Sequence, residues 1–460
     1  MESSFSSFDK DKFQRKPFAD RLTKAITCFS PLVEGAYVLS LNACFGSGKT
    51  TFLKMWQHKL EIDQHKVIYL NAWDTDFDED PVIAILHSLL ENIKPKSRSK
   101  LRKTLKAGLG IISVCSNQII EKSTGIDIQG AVKKTQTYLQ EADLQSIGNK
   151  IYEAYGFKRK AYQEIKTELE NYVKKLEKKP LIIMIDELDR VRPDYAVKFL
   201  EAIKHIFSVP GICFVLAVDR GQLECSVKQL YGNLDFDNYY RRFVSREAAL
   251  PVPTNVELSP FIEQILEEYF AKLPDHIRTY CYGGGGNQTS RLSHAQKVCH
   301  GFRLTPRQIE NVLRIFVHHL LVEENKMVGN STWLDATLFL IALGVSDRQK
   351  YQHLGEGRAF VKDIYDYLSD LSFDKNKGKL DYYIAITVLS AFNLRQNDRK
   401  NDEQTAALFK SISDNNKDWG APHIINTLAE IVEFAQRIPE ESGFQRIYKK
   451  LEEWRPFVEF

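Results

Sequence analysis

A chain of 460 residues, 43% hydrophobic and 27% charged, is long enough for two or three folded domains and excludes a disordered or fibrous class. Its net charge of +3 gives no global attraction to nucleic acid, so such affinity would have to rest on a local patch. The start, M-E-S-S-F-S-S-F-D, lacks the basic and apolar regions of a secretory signal, and the seven cysteines are scattered and odd in number. With no apolar stretch of the roughly 18 to 20 residues that span a bilayer, the sequence predicts a cytoplasmic protein with reduced thiols.

In chain order, residues 1–30 read as a lead-in segment. Y-V-L-S-L-N at 37–42 is an apolar run of the kind a buried parallel strand shows, and Phe52, Met55, Trp56 and Leu60 then recur at helical spacing. A strand at 67–71 and a helix from Pro81 to about Ile93 follow. Residues 94–178 read as an insertion, with a basic stretch at 94–106, a short apolar run at 107–115 and a charged helix around 158–178. The sheet pattern resumes at 181–185 and 212–218, with a helix from Tyr195 to Phe207 between them, and a last strand is expected at 248–252. The core is thus placed at 31–255. A helical lid-like region at 256–330 is interrupted by a glycine-rich loop at 281–290, and a C-terminal helical domain at 331–460 contains segments such as Leu380–Phe392 and Gly443–Trp454. The predicted class is α/β, a parallel sheet flanked by helices and followed by all-helical parts.

The chemistry starts at N-A-C-F-G-S-G-K-T-T, residues 42–51. It matches the phosphate-binding loop G-x-x-x-x-G-K-[ST] except that Ala43 stands for the first glycine. Such a loop wraps backbone N–H groups around phosphates at a helix N-terminus, where the helix dipole also favours negative charge. Gly46 and Gly48 permit the close approach, and Ser47 and Thr51 complete the cradle. Lys49 would reach the β- and γ-phosphates, and the Thr50 hydroxyl would bind Mg²⁺. Alanine is the least costly replacement at position 43, provided that φ there stays negative.

L-I-I-M-I-D-E-L-D-R at 181–190 is an apolar strand ending in acids, the Walker B pattern. Asp186 is placed to hold Mg²⁺ through its water shell, and Glu187 to act as the base that polarises the attacking water. The strand at 212–218 ends at Asp219, a candidate γ-phosphate sensor that reads nearly as well as a plain strand-end turn. The basic stretch 94–106 could meet anionic lipid or nucleic acid, although a solvated rim is the better reading. His318 and His319 are adjacent on a helix and point to different faces, and Cys281, His294, Cys299 and His300 lack paired zinc-ligand spacing.

Taken together, these motifs resemble the KAP family of P-loop NTPases, near the AAA+ and STAND ATPases. The resemblance rests on K-P-F-A-D-R-L-T-K-A-I, F-G-S-G-K-T-T-F, Y-L-N-A-W-D, I-D-E-L-D-R-V-R-P-D-Y, F-V-L-A-V-D-R and Y-Y-R-R-F-V-S-R. The family usually has glycine and tryptophan where this chain has Ala43 and Phe45. Many members carry transmembrane helices between the Walker motifs, whereas the insertion here has only the run at 107–115. The resemblance implies Mg·ATP hydrolysis by a switch or motor that regulates assembly with partner proteins, in a prokaryotic regulatory or antiviral-defence setting. It implies arginine fingers among Arg241, Arg242 and Arg246, and a second sensor at Arg307. Partners are expected through the C-terminal helices, in a homo-oligomer or hetero-assembly, with peripheral membrane contact conceivable through 94–120. Two other readings stand beside it: a scaffold that uses ATP as a structural ligand or slow timer, and a nucleic-acid-stimulated ATPase, the latter not favoured.

Overall fold

The computed structural model describes residues 7–77, 80–93, 100–115, 144–275, 277, 288–322, 331–356 and 443–454. The chain divides into two compact units, Met1–Val252 and Pro253–Phe460.

The first unit is built on five parallel strands: β1 (Tyr37–Asn42), β2 (Val67–Asn71), β3 (Leu181–Asp186), β4 (Ile212–Val218) and β5 (Arg246–Ala249), in the spatial order β2-β3-β4-β1-β5. β3 and β4 are buried at every position, which is why they read as unbroken apolar runs and not as alternating ones. In register, Asn42 lies opposite Val218, and Asp186 lies opposite both Ala217 and Asn71. The carboxyl ends of β1 to β4 therefore reach one edge together, the edge at which open parallel sheets bind ligands.

Side-chain alternation divides the core into two layers. On one face Val38, Ile183, Ile185, Phe214 and Leu216 pack with α3 (Pro81–Asn92), α4 (Lys100–Cys115), α5 (Leu144–Lys174) and α6 (Pro193–His205). On the other, Leu39, Leu41, Met184 and Val215 meet α1 (Lys16–Phe29) and α2 (Lys49–Ile62). The lead-in is part of this second layer, since Ala19, Leu22 and Ile26 are buried in it and Trp56 Nε1 donates to Thr23 Oγ1 at 2.9 Å. Two further helices, α7 (Arg220–Tyr231) and α8 (Phe236–Tyr240), bring Leu223, Val227 and Tyr240 into the first layer, where the Tyr240 hydroxyl donates to Ser40 Oγ at 3.0 Å.

The last strand corrects the sequence reading. It runs from Arg246 to Ala249, not 248–252, because Ser245 N already donates to Val38 O at 2.8 Å and Arg246 pairs with Leu39. As an edge strand it is largely exposed, so its first residues need not be apolar, and Pro251 and Pro253 prevent any extension.

The described parts of the inserted segment belong to the main core. Leu101, Leu105, Leu109 and Ile112 of α4 are buried with Ile165, Leu169 and Val173 of α5. A Cβ placed on Gly108 would lie 2.6 Å from Ile165 Cδ1, a measure of how closely these helices approach. The apolar run at 107–115 thus supplies the buried stripe of an amphipathic helix. The basic stretch also has structural work within 100–106. Arg102 Nη1 donates to the carbonyls of Leu90 at 2.6 Å and Ile93 at 3.0 Å at the end of α3, and Lys100 meets Glu168 at 2.7 Å. Residues 94–99 lie outside the described residues.

In the second unit α9 (Asn255–Phe270), α10 (Gln288–Gly301), α11 (Pro306–Val322), α12 (Ser331–Ser346), α13 (Arg348–Gly355) and α14 (Gly443–Trp454) follow one another. The residues Gln288, Thr289 and Ser290, read as loop from sequence, already belong to α10. α9 starts with a capping box in which Thr254 and Glu257 satisfy each other's backbone N–H. α12 is apolar nearly all round and is buried from Ala336 to Leu343, as a central helix must be. The expected helix at 380–392 lies outside the described residues. Among the described residues, no helix is long and apolar enough to cross a membrane.

Candidate nucleotide-binding site

Residues 43–48 leave the end of β1 and lead into α2. Ala43 N donates to Val218 O at 3.1 Å, continuing the β1–β4 ladder by one residue, and Ala43 is not among the residues with positive φ. That is why a Cβ is tolerated where the motif has its first glycine. Gly46 and Gly48 have φ of 77° and 86°, where a side chain would be strained, so the two retained glycines are the two that the loop geometry requires. Ser47 closes the turn, its N–H and Oγ both donating to Cys44 O, at 3.3 and 2.7 Å. Phe45 is half exposed and does not plug into the core. Its ring lies 4.6 Å from the Arg190 guanidinium.

Lys49 opens α2 and is only 7% exposed. Its Nζ donates to Ala43 O at 2.8 Å and to Asp189 Oδ2 at 3.3 Å. Thr50 and Thr51 follow in the first turn. Beneath the loop, Arg15 Nη1 donates to Gly48 O at 3.5 Å while its other nitrogens are held by Asp11, and its guanidinium lies over Phe13 and Phe52.

The acidic pair sits at the exit of β3. Asp186 is fully buried, with Oδ2 accepting from the Tyr69 hydroxyl at 2.9 Å and Oδ1 from Glu187 N at 3.0 Å. Burial, and then the charge of Asp186, push the Tyr69 phenol well above its ordinary value, so it remains a donor. Glu187 has φ of 60°, a left-handed conformation unusual for a residue with a side chain. Its Oε1 is 3.1 Å from Arg190 Nη2. Arg190 is in turn placed between Phe45 and Trp73, at 4.6 and 5.3 Å. Trp73 is brought there by the N-A-W turn, in which Asn71 Oδ1 accepts from Trp73 N at 3.1 Å.

Asp219 caps α7: its Oδ1 accepts from Gly221 N at 3.1 Å and Gln222 N at 3.4 Å, and Asn42 Oδ1 accepts from Arg220 N nearby. The strand-end reading of Asp219 therefore has a concrete geometry, while its own N–H points to Asp189. Arg241 and Arg242 are exposed just after α8, and Arg246 is exposed at the start of β5. Arg307 belongs to the second unit. It is exposed on the first turn of α11, after Pro306 and a reciprocal cap between Thr305 and Gln308.

The structure therefore brings together Gly46, Ser47, Gly48, Lys49, Thr50, Asp186, Glu187 and the Asp219 backbone. Four contributors escaped the sequence reading: Asp189, Tyr69, Arg190 and Arg15. Asp189 and Arg190 stood in the quoted D-E-L-D-R, but nothing in one sequence tells which acid meets Lys49. Two acids after β2 hold the structure around the site: Asp76 pairs with Arg192 at 3.1 Å and Asp80 caps α3.

The residues suit the ligands that the motifs imply. Gly46 and Gly48 hold the left-handed backbone that a phosphate-cradling loop needs. Thr50 and Asp186 offer hard oxygen donors of the kind that Mg²⁺ shares with substrate phosphates. Among the described residues no group of three or more His, Cys, Asp or Glu could hold a metal ion by itself. His319 is buried and His318 exposed, so these two do not converge.

A phosphate loop after β1, an acidic pair after β3 and a strand inserted between them define a P-loop NTPase of the additional-strand group. The KAP family P-loop domain matches residues 15–322, and the chain belongs to that family. No curated protein matches it significantly. Among solved structures, the ORC2 protein of Aeropyrum pernix in ADPNP–ADP complexes is similar over 92% of this chain and 95% of that chain, with 14% identity and a TM-score of 0.36. So distant a likeness adds nothing to the assignment.

Proposed function

We propose that the chain is a Mg²⁺-dependent ATPase that works as a nucleotide-driven switch or motor, regulating assembly with partner proteins. The observation that carries this reading is the convergence of Lys49, Thr50, Asp186 and Glu187 on one sheet edge, with β4 between the two motif strands. Lys49 and the loop N–H groups would neutralise the phosphates, while Thr50 and Asp186 would hold Mg²⁺, which supplies positive charge at the reacting phosphate. Glu187 would accept a proton from the attacking water as the water oxygen bonds to the γ-phosphorus and the bond to the β,γ-bridging oxygen breaks.

The ion pair of Glu187 with Arg190 supports a switch over a constitutive enzyme, because a carboxylate engaged by a guanidinium has to be released before it can meet a water. Arg241 and Arg242, exposed after α8, are suited to reach the site of a neighbouring subunit in an oligomer. The C-terminal helices are the proposed partner surface, and an antiviral-defence setting rests on family resemblance alone.

Replacing Lys49 by Ala should abolish ATP binding, and Glu187→Gln should leave binding intact and stop turnover, both read by calorimetry and phosphate release. Turnover by Glu187→Gln at the parent rate would remove Glu187 as the base. An assembly whose mass is unchanged by ATP would count against the switch.

A further inference from the structure

We propose that Asp189 is a positioning residue for this site, the counter-ion that holds Lys49 in the nucleotide-free protein and makes nucleotide binding depend on a divalent cation. The proposal rests on the nucleotide-site reading above and adds a residue to it. The Asp189 side chain is 3% exposed. One oxygen, Oδ2, accepts from both Lys49 Nζ at 3.3 Å and Asp219 N at 2.9 Å, so a single atom ties the phosphate loop to the exit of β4. The other oxygen, Oδ1, is buried without a hydrogen-bond partner. Among the described residues, Lys49 is the one cation within ion-pair distance of Asp189.

Buried carboxylates are tolerated when they are paired and hydrogen-bonded, and are costly when one partner is taken away. An arriving triphosphate takes that partner, because the lysine that serves the phosphates is the lysine that neutralises Asp189. If the nucleotide came without a metal, a buried carboxylate with a single N–H donor would then face a polyanion. A divalent cation removes the conflict, since its charge lies between phosphate and acids and its water shell can donate to the orphaned Oδ1. Asp189 therefore opposes metal-free ATP and tolerates Mg·ATP.

The test is the ATP dissociation constant of the full chain, measured by calorimetry in Mg²⁺ and in EDTA. Wild type should bind at least about tenfold more weakly in EDTA, and in Asp189→Asn the ratio should shrink by about tenfold, mainly through tighter binding in EDTA. Asp189→Glu, which keeps the charge, should retain the wild-type ratio, and Asp189→Ser serves as a second neutral variant should the asparagine protein not fold. A purely structural role would weaken both arms alike and leave the ratio unchanged, which would overturn the proposal. Equal wild-type binding in Mg²⁺ and EDTA would overturn it without any variant. No wild-type binding under either condition would instead bring down the nucleotide-site reading together with the inference.

Discussion

Asp186 is aimed by two hydrogen bonds, one from the Tyr69 hydroxyl and one from Glu187 N. A hydrogen bond to a charged group contributes about 1.5–3 kcal/mol. Tyr69→Phe should therefore weaken Mg·ATP binding by about tenfold or more. Calorimetry with unchanged affinity would mean that the Asp186 geometry does not depend on Tyr69. Arg190 works in the opposite sense on the neighbouring acid, since it occupies Glu187 while stacking between Phe45 and Trp73. Arg190→Ala should raise basal turnover severalfold at unchanged ATP affinity, and a fall in turnover would show that the arginine assists the base. The glycines, Lys49 and the acidic pair were legible in the sequence because a phosphate cradle demands those residue types at that spacing. The Lys49–Asp189 pair was not, because it joins residues 140 positions apart and D-E-L-D-R contains three acids of equal standing.

At the scale of elements, β3 and β4 were legible because strands buried at every position are apolar throughout, and β1 and β2 because most of their positions are buried too. β5 starts two residues and ends three residues before the expected strand, because an exposed edge strand carries no such constraint. The segment after α3 was read as an insertion because its charges dominate the composition. Yet α4 and α5 need only one apolar residue per turn to join the core, and Leu101, Leu105, Leu109 and Ile112 are spaced accordingly. This packing predicts a stability effect far from the nucleotide site. Leu105 is fully buried, and Leu105→Ala should destabilise the first unit by about 2–5 kcal/mol in urea unfolding. A change below about 1 kcal/mol would show that α4 is dispensable to the core.

For the whole molecule, two histidines give both units the same response to acid. His65 follows α2 in the first unit and His300 lies near the end of α10 in the second, and both imidazoles are held below their ordinary value of 6.5. Burial is the first cause in each case. At His65 the nearby Lys178 and Lys59 act in the same direction, and Asp63 acts against them. Each ring also has a buried nitrogen without a hydrogen-bond partner, Nδ1 of His65 and Nε2 of His300, so protonation would bury an added charge. With folded pKa values below the unfolded one, the neutral rings contribute stability that is fully present above pH 6.5. Below it the unfolded chain binds protons first, and the contribution is lost as pH falls through the folded values. Thermal unfolding should therefore shift to lower temperature between pH 7.5 and about 5.5. In His65→Gln and His300→Gln proteins the drop should be smaller, whatever their stability at pH 7.5, because no proton can be taken up at that position. If both variants lost as much on acidification as the parent, the acid sensitivity would have to come from carboxylates such as Asp63, whose pairing with Lys59 gives way only at still lower pH.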